Sequence, residues 1–226
     1  MSGPSDANGT TRYLVVLDVD STFITAEQID LLAGYAGSGA EVAAITERAM
    51  AGELDFAASL RARVATLAGL DAGLLDEVRA QIELSPGAAD LVAGARVRDW
   101  PVALVSGGFH EIVDPIAAEH GITRVRANRF AVADGRLTGE LDGPIVDRAA
   151  KAHWLRTFAA EDGVPLAHTV AIGDGANDLD MLAAAGLGVA FHAKPVVAAQ
   201  ADVAIESGGL EQVLDLVGAS ASDPAG

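Results

Sequence analysis

The chain has 226 residues, half of them hydrophobic and only 4% aromatic, so its core must be built from Val, Leu and Ala, within one large domain or a domain plus an insertion. It has no cysteine, which excludes disulfides, thiolate zinc sites and cysteine nucleophiles. A formal net charge of −17 speaks against a nucleic-acid partner, whose phosphates require clustered Lys and Arg.

The opening MSGPSDANGTTR is polar, with no apolar run of the secretory kind. The longest small-apolar stretch, Met181 to Phe191, falls short of the about 20 residues that a membrane helix needs. A cytoplasmic protein without a membrane partner is therefore expected.

In YLVVLDVDST, Tyr13 to Thr22, the run Val15, Val16, Leu17 predicts a strand buried on both faces. Asp18 and Asp20 then stand at its carboxyl end, where open α/β sheets bind ligands. A spacing of two aims both carboxylates at one face, and like charges that close leave one protonated unless a cation compensates. An ionised nucleophile beside a protonated acid is one reading; plain capping of the next helix is the other.

From Ala26 to about Ile82 the pattern is helical. Ile29, Leu32, Ala33 and Ala36 form one apolar stripe, Val42, Ile45, Ala49 and Met50 a second, Phe56, Leu60, Val64 and Leu67 a third, and Leu74, Leu75 and Val78 a fourth. Beyond Pro86 helices alternate with strands at 102–105, around Val125, at 169–172, at Val189 and at 203–205, the rhythm of βα units. Around Asp134-Gly135 an alternating segment predicts a hairpin, and the last helix is expected near 210–217. The chain divides into a core of residues 1–25 and 83–226 and a helical insertion of residues 26–82, with disordered tails expected at 1–11 and 219–226.

Several residues suggest chemistry. Ser106 followed by Gly107-Gly108 after a strand makes an anion cradle or an ordinary turn. Lys151 shares a helical stripe with Trp154, Leu155 and Phe158 near a helix start; it faces either a bound anion or, snorkelling, the core's edge. Asp174, Asn177 and Asp178 follow a second strand tip, and Asp18 with Asp174 would suit magnesium. The five histidines show no zinc spacing, and neither a G-x-S-x-G elbow nor a Walker loop is present.

DVDST from Asp18, SGG from Ser106, Lys151, and GDGAND from Gly173 follow the order of four motifs of the haloacid dehalogenase-like phosphatases, which the chain resembles from about residue 13 to 217. The stretches ERAM, AGELDF, ASLRARV, SGGF and ANR are similar to the phosphoserine phosphatase family within that group. The resemblance implies an α/β fold, a Rossmann-like core with a parallel sheet flanked by helices, an inserted helical cap and a small β-hairpin. It also implies hydrolysis of O-phospho-L-serine, the last step of serine biosynthesis, through an aspartyl-phosphate on Asp18, with Asp20 as general acid and base. By the same resemblance Mg²⁺ would be held by Asp18, Asp174 and the Asp20 main-chain carbonyl. Ser106, Gly107, Lys151 and Asn177 would hold the phosphoryl group, and Asp178 would orient Lys151 or metal-bound water.

Glu27 would meet the substrate ammonium and Arg63 its carboxylate, while Met50 and Phe56 would close over it. Arg63 also stands out by itself, as a charge bordering the third apolar stripe. A phosphotransferase or phosphatase for another small phosphomonoester is the nearest alternative, and a non-enzymatic phospho-acceptor module the more distant one. The oligomeric state is left open.

Overall fold

The computed structural model describes residues 11–220. The chain enters at β1 (Leu14–Leu17) and makes a tight turn at Val19–Phe23. It then forms α1 (Gln28–Ala36), α2 (Gly39–Met50), α3 (Phe56–Ala65) and α4 (Leu74–Arg79). These four helices match the four apolar stripes, with Leu32, Val42, Val64 and Val78 all buried. Gly37, at φ 71°, ends α1 in the left-handed conformation that glycine adopts without strain. Asp55 caps α3 by accepting a hydrogen bond from the Ala58 N–H at 2.7 Å.

The chain returns through α5 (Ala88–Val97), β2 (Val102–Phe109), α6 (His110–Glu119) and β3 (Arg124–Asn128). The hairpin β4 (Phe130–Ala133) and β5 (Arg136–Leu141) turns at Asp134 and Gly135, both with positive φ, as a two-residue hairpin turn demands. Then come α7 (Arg148–Glu161), β6 (Thr169–Gly173), α8 (Leu179–Ala184), β7 (Leu187–Phe191), α9 (Pro195–Ala198), β8 (Val203–Ile205) and α10 (Gln212–Ser220).

Six strands form one sheet in the order β3-β2-β1-β6-β7-β8, every pairing parallel. The chain thus builds outward from β1 on one side, then crosses to fill the other. The crevice where that order reverses lies between β1 and β6, the place where such sheets bind ligands. Strand pleating splits the core into two layers. Val15, Leu17, Leu104 and Ile172 face a layer shared with α5, α6 and α10, while Leu14, Val16, Val105 and Ala171 face α7 and α8.

The expected α/β core, parallel sheet, helical insertion and hairpin are all present. The hairpin packs on α3: Gly69 N donates to Leu137 O, Leu137 N donates to Leu70 O, and Gly139 lies flush on Ala65 and Ala68.

Some local expectations need correction. The strand expected at 102–105 runs on to Phe109, slipping register against β3 between Val105 and Phe109, so Ser106-Gly107-Gly108 lies inside the strand and does not open the helix. Glycine allows this because neighbouring side chains occupy the Cβ positions. Met50 is 72% exposed and leaves the buried stripe. One residue beyond Ala49, it is turned about 100° round the helix. The last helix starts at Gln212, and α9 is too short to show a helical period in the sequence. The tails expected to be disordered lie outside the described residues except at their inner ends, where Thr11 O accepts from Trp100 Nε1 at 3.2 Å and α10 reaches Ser220. No described helix is long and apolar enough to cross a membrane.

Candidate active site

The site begins where β1 stops. Asp18 is 3% exposed, extended in backbone, and makes no side-chain cap hydrogen bond, which removes the capping alternative. The chain leaves the strand at Val19, where the turn Val19–Phe23 begins, so the strand period does not carry from Asp18 to Asp20, and Ser21, at φ 57°, turns the chain further. The two carboxylates have different surroundings. Asp18 faces Lys151, whereas Asp20 accepts a hydrogen bond from Gln28 Nε2 at 2.5 Å.

Lys151 is wholly buried on α7, which Asp147 caps by accepting from Ala150 N at 2.9 Å. Its Nζ lies 2.6 Å from Asp18 Oδ1 and 2.7 Å from Asp178 Oδ1. A snorkelling lysine would reach water, and this one does not. Its charge is met by the protein's own carboxylates, so a bound anion is not required to explain its burial. Burial alone would push the ammonium down, but Asp178 and Asp18 together hold it above its ordinary range.

Asp174, half-buried beyond β6, and Asp178 complete an acidic cluster: oxygens of Asp18, Asp174 and Asp178 lie within 4.8 Å of one another. Thr22 Oγ1 donates to Asp174 Oδ1 at 3.4 Å. Both Asp178 oxygens are engaged, Oδ1 by Lys151 and Oδ2 by Gly175 N at 3.0 Å, so its carboxylate is fixed as a support for the lysine. Burial, then repulsion from Asp178, raises Asp18 well above the usual carboxylate range. The same two causes raise Asp174 to about 6. Crowded hard oxygens with excess negative charge suit a hard divalent cation.

The neighbouring strand β2 carries Ser106, wholly buried, whose Oγ accepts from Gly108 N at 2.8 Å. Asn128, at the end of β3, clamps this segment, donating from Nδ2 to Gly107 O at 2.7 Å and accepting at Oδ1 from Val146 N at 2.9 Å. Asn177 folds back over Gly175, where a Cβ would lie 2.2 Å from its Oδ1.

The helical insertion faces this floor. A Cβ on Gly107 would lie 3.1 Å from Phe56 Cζ, so the Phe56 ring edge rests on the Ser106-Gly107 segment. Arg63, partly buried, has an Nε with no hydrogen-bond partner; burial lowers its pKa while Glu27, Asp30 and Asp20 pull it up. Glu27 is exposed and precedes α1 rather than lying in its first turn, and its Oε1 accepts from Ser21 Oγ at 2.7 Å. Asp20 is raised to about 8 by burial and by Glu27, against the opposing bond from Gln28. Met50, exposed at the end of α2, makes no part of the floor.

Two polar residues here escaped sequence reasoning: Gln28 and Asn128. Asn128 stands in the ANR stretch already singled out, which could have drawn attention to it, whereas Gln28, beside Glu27 at a helix start, carries no such signal.

The model of the haloacid dehalogenase-like hydrolase family matches residues 15–183. The chain belongs to this family. Within the haloacid dehalogenase-like hydrolases it is 55% identical over 207 residues to a phosphoserine phosphatase of Streptomyces coelicolor, covering 92% of this chain and 50% of the relative. A phosphoserine phosphatase of Streptococcus thermophilus is 50% identical over 206 residues, covering 91% of this chain and 96% of the relative. The chain spans about half the length of the Streptomyces coelicolor and Mycobacterium tuberculosis relatives it matches. Among solved structures, a phospho-aspartyl intermediate analogue of phosphoserine phosphatase has a TM-score of 0.85 at 39% identity, covering 92% of this chain and 99% of that one. A substrate-bound phosphoserine phosphatase complex gives 0.86 at 39% identity with the same coverage.

Proposed function

We propose that this haloacid dehalogenase-like hydrolase is a phosphomonoester hydrolase acting on O-phospho-L-serine, releasing L-serine and phosphate as in the last step of serine biosynthesis. The observation that carries the reading is the buried Asp18–Lys151–Asp178 chain beside Asp174 at the sheet's reversal point, in a fold shared with a substrate-bound phosphoserine phosphatase.

In this reading Asp18 Oδ attacks phosphorus and Asp20 gives its proton to the departing serine oxygen. Asp20 then takes a proton from the water that opens the aspartyl-phosphate. Lys151, Ser106, Gly107 and Asn177 hold the phosphoryl oxygens, with Asp178 orienting Lys151. The donor set fits Mg²⁺, held by Asp18, Asp174 and the Asp20 main-chain carbonyl; when bound it supplies positive charge against the phosphoryl oxygens. Arg63 takes the substrate carboxylate by its planar fork and Glu27 the ammonium. Phe56 covers the bound substrate. Met50 would join it only by moving inward from its exposed position. A cytoplasmic location accords with this chemistry.

Phosphate release from O-phospho-L-serine, phosphothreonine and 4-nitrophenyl phosphate, each with and without magnesium, tests the reading. Metal-dependent preference for phosphoserine is expected, abolished by Asp18→Asn. Turnover of the aryl phosphate alone would overturn the substrate assignment, and near-normal turnover by Asp18→Asn would overturn the nucleophile.

A further inference from the structure

Gln28 is the first residue of α1 and is wholly buried. A buried amide is costly unless both its ends are paired, and here both are. Nε2 donates to Asp20 Oδ1 at 2.5 Å, and Oε1 accepts from Phe109 N at 3.0 Å. Only this orientation satisfies both partners, because a main-chain N–H must meet an acceptor. The amide also lies flat on Gly108, where a Cβ would stand 2.3 Å from Nε2, 2.7 Å from Cδ and 2.9 Å from Oε1. The side chain is thus held from the helix, from the strand and from below. It joins the helical insertion, the Ser106-Gly107-Gly108 segment and Asp20 in one contact.

We propose that Gln28 is a positioning residue that fixes which oxygen of Asp20 exchanges the proton during turnover. The inference rests on the role of Asp20 as acid and base given above. An amide N–H is a donor, so Oδ1 of Asp20 must accept and cannot carry the proton there. The proton belongs on Oδ2. In the first half-reaction Oδ2 gives it to the serine oxygen as the bond from that oxygen to phosphorus breaks and the bond from Asp18 forms. In the second, Oδ2 takes a proton from water as the water oxygen bonds to phosphorus and the bond to Asp18 breaks. The carboxyl returns to its starting state, and no other reactant is needed. Without Gln28 the carboxyl rotates, and either oxygen can hold the proton in an unproductive direction.

The test uses Gln28→Met, which keeps the shape and loses both bonds, and Gln28→Glu, which keeps an acceptor for Phe109 N and loses the donor. For phosphoserine, kcat is expected to fall about 10²-fold in both, the size of a misplacement of roughly an ångström, with KM little changed. With 4-nitrophenyl phosphate the leaving phenolate needs no proton, so its release in the first turnover, followed by stopped flow, should stay at the parent rate. Later turnovers should then slow, giving a burst, because opening the aspartyl-phosphate still needs the base. Thermal melts establish that each variant is folded, and if one is not, the other carries the test.

Parent-like kcat in Gln28→Glu would overturn the proposal, since the residue would then serve only to support the strand. A first-turnover rate lowered as much as phosphoserine turnover would overturn it too, as general disruption. Asp20→Asn separates the two readings. If it leaves phosphoserine turnover intact, the role of Asp20 fails and this proposal falls with it; if it is impaired while Gln28→Met is normal, only the role of Gln28 is lost.

Discussion

Lys151 holds two buried carboxylates that would otherwise repel each other. Replacing it with Met leaves Asp18 and Asp178 facing one another, and a loss of about 3–5 kcal/mol in metal-free stability is expected. Millimolar magnesium should restore part of the melting temperature, because a cation bound only by the folded state stabilises it. Asp20 and Asp174 titrate in the opposite sense to a salt-bridged acid. Their folded values, about 8 and about 6, lie above the ordinary 3.8, so between these limits the folded state holds protons that the unfolded chain has released. Stability of the metal-free protein should therefore be greatest in acid and decline as pH rises from about 4 to about 8. Melting curves in chelator across that range check this, and Asp20→Asn should flatten the upper part. At this scale the sequence was informative wherever a charge broke an apolar pattern, as with Lys151 and Asp18. It was silent on Gln28, because a glutamine at a helix start is unremarkable until Phe109 and Asp20 are brought against it from elsewhere in the chain.

Among the elements, the junction of α3 with β5 depends on Gly139. Its φ is 84°, and a Cβ there would lie 2.9 Å from Ala68 Cβ and 3.2 Å from Ala65 O. Gly139→Val should cost about 1–3 kcal/mol through overpacking and a strained backbone. Gly34 offers the contrast: it lies inside α1 with nothing within 4 Å of a Cβ, so Gly34→Ala should raise stability by about 1 kcal/mol. Paired thermal melts of the two variants test both. Helices were legible because their stripes are long, and the hairpin because Asp134-Gly135 demands its turn. The continuation of β2 through Ser106-Gly107-Gly108 was not, since glycine pairs suggest a loop unless the side chains that cover them, Phe56 and Gln28, are known to be there.

For the whole molecule, a net charge of −17 opposes the approach of any phosphomonoester, while the site itself gathers Lys151 and Arg63. Inert salt at fixed magnesium should therefore raise kcat/KM for phosphoserine by screening the repulsion, with kcat little altered. A series in potassium chloride reads this directly; a fall with salt would mean that local cations dominate the encounter. The sheet order has a consequence for synthesis. Of the six strands of the sheet, β1 is made first, yet it lies between β2 and β6, with Leu14 paired to Thr169. A nascent chain can zip β1 onto β2 while the other edge of its most apolar strand still waits for a partner made much later. Through that interval Asp18 also lacks Lys151, so the newborn protein passes through a stage in which its central strand is sticky and its reaction centre has yet to exist.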